Sequence, residues 1–240
     1  MTSMTVHLQR REEVAHGTLA FHFDKPAGFS FKPGQAIDLV LPDPSASDAE
    51  GARHAFSIVS APHEGELVVA TRMRDSAFKN ALASLPVGAA AGVDGPFGSL
   101  TLHNKLGRAA VFLAGGIGIT PFMSMLRHAA YSALQQRLVL LYANRRPEDA
   151  AFLSELQRLE GENRNFLLVA AMTRMQESRL PWTGETGTID EALLKRMVAE
   201  LPEPIYYVAG PPAMVGALRD TLERVGVDSD DIRSEEFHGY

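Results

Sequence analysis

Strand-length apolar runs alternate with helix-length segments over residues 108–225, and this alternation limits the fold more than any other feature of the sequence. The first run, 109–114, contains no polar residue, as expected of a strand covered on both faces. Further strands are predicted at 138–142, 166–171 and 205–209, and helices at 121–134, 149–159, 190–200 and 212–225. Strands and helices in alternation form a parallel, doubly wound sheet. We therefore predict an α/β domain over residues 108–240.

The first hundred residues have a different pattern, in which short strands are separated by breaks that contain Pro and Gly. Strands are predicted at 19–23, 36–41, 55–59 and 66–73, with one helix at 76–85 that ends before Pro86. Strands at this spacing predict an antiparallel barrel or sandwich. A first domain over residues 1–105 follows.

Composition excludes several classes of site. The chain has 240 residues, 45% of them hydrophobic and 22% charged, and a net charge of −6 without basic clusters, so a nucleic-acid partner is not expected. It has no cysteine, which excludes disulfides, cysteine-bound zinc, iron–sulfur clusters in this chain and cysteine nucleophiles. Its histidines include no pair at His-x-x-x-His spacing, and no metal site is expected.

The N-terminus lacks the apolar core of a signal peptide. An uncharged stretch at 109–126 has a marginal length for a membrane span, but glycines at 115, 116 and 118 and Pro121 interrupt it. We interpret it as a strand, a turn and the start of a helix. A cytoplasmic protein without a membrane span is therefore expected, and the oligomeric state is left open.

The strongest local motif is the glycine-rich turn at 114–121, which follows the apolar strand and precedes a helix with Thr120 as its predicted N-cap and Pro121 in its first turn. Glycines let the backbone approach a phosphate, and a helix N-terminus offers unpaired amides. Alone, such a turn also fits an ordinary strand–helix connection.

Five further segments occur in a fixed order around this turn. They are Arg53-His54-Ala55-Phe56-Ser57-Ile58-Val59-Ser60, Asp94-Gly95-Pro96-Phe97-Gly98, Tyr142-Ala143-Asn144-Arg145-Arg146, Tyr207-Val208-Ala209-Gly210-Pro211-Pro212 and Glu235-Glu236-Phe237-His238-Gly239-Tyr240. Together with the turn, the set resembles the ferredoxin–NADP reductase superfamily over nearly the whole chain. The resemblance implies an N-terminal antiparallel Greek-key β-barrel that binds flavin and a C-terminal α/β domain that binds nicotinamide.

On the flavin side, the resemblance places Phe56 against the isoalloxazine and Ser57 near its reactive N5 edge. The family's phosphate-binding Arg is replaced by His54, while Arg53 should point to the opposite face of the strand. A neutral imidazole is a weaker phosphate partner than a guanidinium. Compensating contacts are predicted from Arg72, Lys79 and Asn80 near the start of the helix at 76–85.

On the nicotinamide side, the resemblance makes Gly115, Gly116, Gly118 and Thr120 the pyrophosphate-binding turn. It also assigns adenosine recognition to the segment that ends in Asn144, Arg145 and Arg146, and nicotinamide contacts to Gly210 and Pro211. Two arginines favour the 2′-phosphate of NADP(H). The alternative is a charged loop whose acids, Glu148 and Asp149, pair with the arginines and favour NADH.

The resemblance also implies roles for the tail. Glu235 and Phe237 match the family's Glu-x-Phe, with Phe237 near the flavin, and they are predicted as catalytic together with Ser57. Tyr240 either covers the isoalloxazine or lies in a frayed end. Many relatives have Cys where this chain has Ala209; hydride transfer between two cofactors needs no protein nucleophile, so activity is expected to be tuned and not lost.

The sequence therefore predicts an oxidoreductase that moves a hydride from NAD(P)H to bound FAD, which is preferred to FMN, and electrons on to a ferredoxin-like carrier or a small-molecule acceptor. Three alternatives stay open. They are a reductase of free flavin or quinone, a reductase subunit of a multicomponent oxygenase, and a nucleotide sensor without turnover.

Overall fold

The computed structural model describes residues 4–42 and 52–238, and two six-stranded sheets organise it. The first sheet and the helix α1 (Ala77–Ser84) belong to the first hundred residues. Its strands are β1 (Met4–Ala15), β2 (Thr18–Asp24), β3 (Ala36–Val40), β4 (Arg53–Ser57), β5 (Glu66–Arg72) and β6 (Ala90–Phe97). Their order is β4-β3-β6-β1-β2-β5, and every pair is antiparallel.

This sheet curves into a barrel around its own apolar core. The amide of Val59, just beyond β4, donates to the carbonyl of Val68 on β5, so the two edge strands meet at that point (2.8 Å). The interior is filled by side chains from all six strands, including Leu8, Phe21 and Ile37. The antiparallel barrel expected from the sequence is thereby confirmed.

The second sheet is parallel throughout. Its strands are β7 (Ala110–Gly115), β8 (Leu138–Asn144), β9 (Phe166–Met172), β10 (Glu185–Thr186), β11 (Ile205–Gly210) and β12 (Ile232–Glu236), in the order β10-β9-β8-β7-β11-β12. The helices that connect or follow these strands are α2 (Thr120–Tyr131), α3 (Leu153–Glu162), α4 (Glu191–Val198) and α5 (Pro212–Arg224). The chain leaves β7 toward β8 and later returns to its other side at β11. Such a reversal opens a crevice at the carboxyl ends of the strands.

Two helix starts differ from the sequence-based expectation. Thr120 is not an N-cap: a 3₁₀ turn at Gly116–Ile119 leads directly into α2, and the Thr120 hydroxyl donates to the Ile117 carbonyl (3.0 Å). Helix α3 begins at Leu153 and not at residue 149, because Phe152 adopts a left-handed conformation (φ 61°) that interrupts the helical path.

The two halves of the molecule share one apolar cluster. Barrel residues such as Val59, Val68 and Leu100 pack in the same buried set as Phe122 and Met123 of α2. The two halves are therefore joined by a continuous apolar core that includes helix α2. Among the described residues, no helix has the length and apolar character needed to cross a membrane.

Candidate functional site

A cleft of about 290 Å³ lies where the open end of the barrel meets the carboxyl ends of β7, β11 and β12. It is lined by Ala36, His54, Ala55, Phe56, Ser57, Ala70, Thr71, Arg72, Lys79, Phe97, Ile117, Thr120, Glu235, Glu236, Phe237 and His238. Eight of these are residues that the sequence singled out: His54, Phe56, Ser57, Arg72, Lys79, Thr120, Glu235 and Phe237. Segments as far apart in the chain as Ala36 and His238 thus meet in one site.

The barrel side of the cleft is an aromatic wall. Phe56 is only 6% exposed, and the His54 ring stacks on it with centroids 4.8 Å apart and planes 29° apart. His54 also contacts Phe78 of α1 (5.3 Å). Because residues i and i+2 share a face of a strand, His54 and Phe56 both face this side, whereas Arg53 pairs with Asp38 and Asp94 on the opposite face. A flat ligand would therefore meet a preassembled wall.

One end of the cleft is cationic. Lys79 is buried, and its ammonium donates to the main-chain carbonyl of Arg72 (3.1 Å). Both residues line the cleft. Ser76 caps α1 by accepting a hydrogen bond from the Lys79 amide (3.2 Å). Asn80 does not line the cleft; it is exposed and its amide contacts Asp75 (3.2 Å). The cations and the helix N-terminus give this end a preference for anions.

Beside the cleft, the turns that follow β7 and β11 cross with their backbones in contact. The first turn supplies Ile117 to the cleft lining, whereas the predicted contacts Gly115, Gly116, Gly118, Gly210 and Pro211 are not part of that lining. A Cβ on Gly118 would lie 2.3 Å from the Ala209 carbonyl oxygen, and one on Gly210, which has φ +155°, would lie 3.2 Å from the Gly115 backbone. A Cβ on Gly115 would in turn meet the Pro211 ring at 3.1 Å. These glycines are therefore required for the crossing, which brings Thr120 into the cleft.

The predicted adenosine segment lies at the carboxyl end of β8, outside the cleft lining. Asn144 is 7% exposed, and its side-chain amide nitrogen is buried without a hydrogen-bond partner among the described residues. Arg146 is held by both oxygens of Asp149 (2.8 and 2.8 Å), and this contact lowers the pKa of the Asp149 carboxyl. Arg145 is exposed and forms no ion pair with the residues that the structure describes. The two arginines thus have different environments.

The alternative interpretation of the sequence predicted that Glu148 pairs with the neighbouring arginines, but the structure gives its carboxylate other hydrogen-bond partners. Its carboxylate accepts from the Arg179 amide (2.7 Å) and from the Ser178 hydroxyl (2.9 Å). These hydrogen bonds, the Arg179 amide first, lower the pKa of Glu148 to about 2. The carboxylate therefore fixes the loop that follows β9 beside the carboxyl end of β8.

The C-terminal tail closes the cleft. β12 pairs in parallel with β11, and the Phe237 amide donates to the Gly210 carbonyl (2.9 Å). Glu235 thereby enters the cleft, where burial raises the pKa of its carboxyl. Tyr240 lies outside the described residues. Within those residues, no group of three or more His, Asp or Glu side chains is placed to hold a metal ion.

The cleft also contains residues that the sequence did not mark as ligand contacts, among them Ala36, Ala70 and Phe97. Small residues at strand ends carry no chemical signal, so spacing alone does not identify them. Phe97 belongs to the ordered segment 94–98, which is the sequence signal that could have marked it.

Comparison with known proteins agrees with this geometry. Residues 112–220 match the oxidoreductase NAD-binding domain family. The chain is 30% identical over 223 residues to the glycine betaine monooxygenase reductase subunit of Chromohalobacter salexigens, covering 92% of this chain and 60% of that protein. It is 28% identical over 229 residues to ferredoxin–NADP reductase B of Sorangium cellulosum, covering 91% and 90%.

A solved structure has the same architecture along its full length. The crystal structure of a ferredoxin NADP⁺ reductase from Neisseria gonorrhoeae with bound FAD and NADP superposes with a TM-score of 0.81 at 23% identity, covering 98% of this chain and 99% of that one. This similarity concerns the fold. The chain spans 60% of the length of the glycine betaine monooxygenase reductase subunit.

Proposed function

Because the chain belongs to the ferredoxin–NADP reductase superfamily, we propose that it is a flavoprotein reductase that takes a hydride from NAD(P)H and passes electrons to a separate acceptor. The observation that supports this most is the cleft itself. The aromatic wall with Ser57 on the barrel side faces Thr120 and Phe237 on the other side. Two flat ring systems held face to face between such walls are in the arrangement that hydride transfer requires.

The residues present fit a flavin with a phosphate-containing tail. The apolar wall of His54 and Phe56 suits the isoalloxazine. The cationic end at Arg72 and Lys79, with the N-terminus of α1, suits the phosphates. We assign residues 1–105 to flavin binding and prefer FAD to FMN, as in the N. gonorrhoeae structure.

The residues also fit a nicotinamide nucleotide. The glycine-rich 3₁₀ turn at Gly116–Ile119 joins β7 to α2 at the carboxyl end of the strand, where a pyrophosphate binds in sheets of this type. The unpartnered side-chain amide nitrogen of Asn144 is a hydrogen-bond donor at the carboxyl end of β8, where the adenosine would lie. We assign residues 108–240 to this nucleotide and the returning tail. Preference for NADP(H) over NAD(H) now depends mainly on Arg145, since Asp149 holds Arg146.

The protein's own contribution is geometry and control of protons. A bound flavin would supply the redox chemistry, coupling uptake of a hydride to the release of two electrons and of the accompanying protons. Ser57 offers a hydroxyl beside the ring system, and Thr120 orients the nicotinamide. Burial raises the pKa of the Glu235 carboxyl and so favours its protonated form, while Phe237 helps to exclude water from the cleft.

For the acceptor, we propose a separate one-electron carrier. Support comes from relatives that are reductase subunits of glycine betaine and propane monooxygenases and from a relative that is a ferredoxin–NADP reductase. Since these 240 residues contain no cysteine, an iron–sulfur cluster would have to lie outside them. The cytoplasmic location expected from the sequence stays a prediction.

A second candidate, a reductase that releases free reduced flavin or acts on quinone, is favoured by one observation. The phosphate position has His54, whose ring is stacked on Phe56, in place of a permanently charged Arg. Weaker phosphate binding would let flavin leave the protein.

One experiment separates these functions. The purified protein is stripped of flavin, titrated with FAD and with FMN, and assayed with NADPH or NADH against ferredoxin, flavodoxin, quinone and free flavin. Tight FAD binding with turnover of a protein carrier supports the proposal. Weak binding with turnover of free flavin or quinone supports the second candidate, and failure to bind either flavin refutes both.

A further inference from the structure

Helix α2 is joined to the barrel by a buried hydrogen bond that the reaction chemistry does not use. The Ser124 hydroxyl donates to the carbonyl oxygen of Ser60 at 2.7 Å, and both residues are completely buried. This distance is that of a well-formed O–H···O bond. It joins a helix of the parallel half to the loop that follows β4 of the antiparallel half.

The position of this bond relates it to the cleft. Ser60 lies three residues beyond Ser57, and Ser124 lies one helical turn beyond Thr120, so it is on the same face of α2. Ser57 and Thr120 line the cleft from opposite sides. The hydrogen bond therefore connects the two elements directly behind the residues between which both ring systems would lie.

Ser60 is itself fixed on the barrel side. Its hydroxyl accepts a hydrogen bond from the Val68 amide on β5 (3.0 Å), next to the Val59–Val68 contact that joins β4 to β5. The carbonyl that Ser124 contacts is thus part of the rigid barrel wall. A shift of α2 relative to the flavin wall would have to break this bond.

A second contact follows one turn later on α2. The Arg127 guanidinium is bidentate to Glu155 of α3 (2.7 and 2.8 Å) and reaches Glu64 of the β4–β5 loop (3.3 Å). Burial opposes the charge of Arg127, yet the hydrogen bonds and charges of its acidic partners leave its pKa raised. The far half of α2 is therefore also fixed to the loop that contains Ser60.

We propose that Ser124 is a positioning residue for hydride transfer: its hydrogen bond to the Ser60 carbonyl fixes the separation between Ser57 and Thr120. The inference rests on the proposed function. Hydride transfer is sensitive to small changes in donor–acceptor distance, so loss of this bond should slow the transfer while leaving the groups that bind either cofactor in place.

The test compares Ser124→Ala with Thr221→Ala. Thr221 also donates its hydroxyl to a carbonyl (2.8 Å, Ala217), but within α5 and away from the cleft, so it controls for loss of a hydroxyl–carbonyl bond in a helix. Each variant is loaded with flavin and mixed anaerobically with NAD(P)H to give the rate of flavin reduction and the nucleotide dissociation constant. Amide hydrogen exchange of the flavin-free variants reports directly on the segments 57–60 and 116–124.

In Ser124→Ala we expect a rate about tenfold lower, a nucleotide dissociation constant close to that of the wild type, and faster exchange in both segments. Thr221→Ala should match the wild type in all three. Should Ser124→Ala not fold, Ser124→Cys fills the same space with a weak donor and should show the same rate loss to a smaller degree.

A wild-type rate in Ser124→Ala, or an equal loss in Thr221→Ala, would overturn the inference while the proposed function stands. So would a loss of rate that comes with equally weakened flavin and nucleotide binding. A wild-type protein whose bound flavin neither nucleotide reduces refutes the proposed function, and the inference with it.

Discussion

The backbone amide of Phe237 donates a hydrogen bond of 2.9 Å to the carbonyl oxygen of Gly210, which fastens the C-terminal tail to the turn at the end of β11. The bond involves only main-chain atoms, so it survives substitution of the Phe237 side chain. The position of the tail and the contribution of the aromatic ring are therefore experimentally separable.

We predict that Phe237→Ala weakens flavin binding about tenfold, because an aromatic wall of the cleft is lost while its backbone stays in place. Phe237→Tyr, which keeps the ring, should bind flavin like the wild type. Fluorescence titration of the stripped protein measures both constants. Equal affinity in the wild type and Phe237→Ala would remove Phe237 from the flavin site.

His54→Arg should strengthen flavin binding about tenfold. A guanidinium keeps its charge at all accessible pH values, pairs bidentately with phosphate and still stacks on the Phe56 ring. His63→Arg is the matched control, since His63 stacks on Tyr131 away from the cleft. If both variants change affinity equally, a general charge effect and not a phosphate contact is responsible.

Nucleotide preference should depend on Arg145 more than on Arg146. Arg145→Gln is expected to raise KM for NADPH about tenfold with little effect on NADH, as loss of a phosphate contact requires. Arg146→Gln should change the preference less, because its guanidinium already binds Asp149. Steady-state kinetics with both nucleotides measure these KM values. An equal rise in KM for NADPH and for NADH in Arg145→Gln would contradict a contact between Arg145 and the 2′-phosphate.

Glu235 should make the protein less stable as the pH rises. Its folded-state pKa is raised by burial, so folded and unfolded chains both hold the proton well below the ordinary carboxyl pKa of about 4.3. As the pH rises from the ordinary carboxyl pKa through the raised pKa of the folded state, the unfolded chain releases its proton more readily than the folded one. The free energy of unfolding therefore falls over this range. The side chain of Glu235→Gln is neutral at every pH. The free energy of unfolding of this variant, relative to that of the wild type, should therefore be higher at pH 8 than at pH 4.

Urea unfolding of the flavin-free proteins at the two pH values measures this difference. Glu223→Gln, an exposed position on α5, is the control and should show no pH-dependent gain. If the wild type and Glu235→Gln differ by the same free energy of unfolding at both pH values, burial does not raise the pKa of this carboxyl.

Gly118→Ala should destabilise the protein by about 1–3 kcal/mol, since the added methyl meets the Ala209 carbonyl at 2.3 Å and forces the two turns apart. Gly161→Ala on α3 meets nothing within 4 Å and should be neutral or stabilising by up to about 1 kcal/mol. Chemical unfolding compares the two. Similar effects of both substitutions would show that the crossing tolerates a side chain.

Much of the fold follows from local sequence, and the exceptions have physical reasons. The apolar strands of the parallel sheet are predictable because both of their faces are buried. The strands β1 and β12 are not predictable in this way, because their exposed positions are polar or charged and their sequences resemble those of loops. The strand β6 contains Gly95 and Pro96, which normally interrupt a strand.

The candidate site was predictable to the extent that ordered motifs mark it. The stacking of His54 on Phe56 was beyond the sequence, because it depends on a side-chain orientation that the backbone pattern leaves open. The pairing of Arg146 with Asp149 was one of two alternatives that the sequence left open. The contact of Ser124 with Ser60 depends on how the two halves pack, which local periodicity does not encode.

The most direct test of the proposed reductase function is anaerobic mixing of the flavin-loaded protein with NADPH or NADH while the visible flavin absorbance is followed. Hydride transfer in the cleft between Ser57 and Thr120 predicts rapid bleaching by at least one of the two nucleotides, at a rate that saturates with nucleotide concentration. A protein that binds flavin but whose absorbance neither nucleotide bleaches would contradict it.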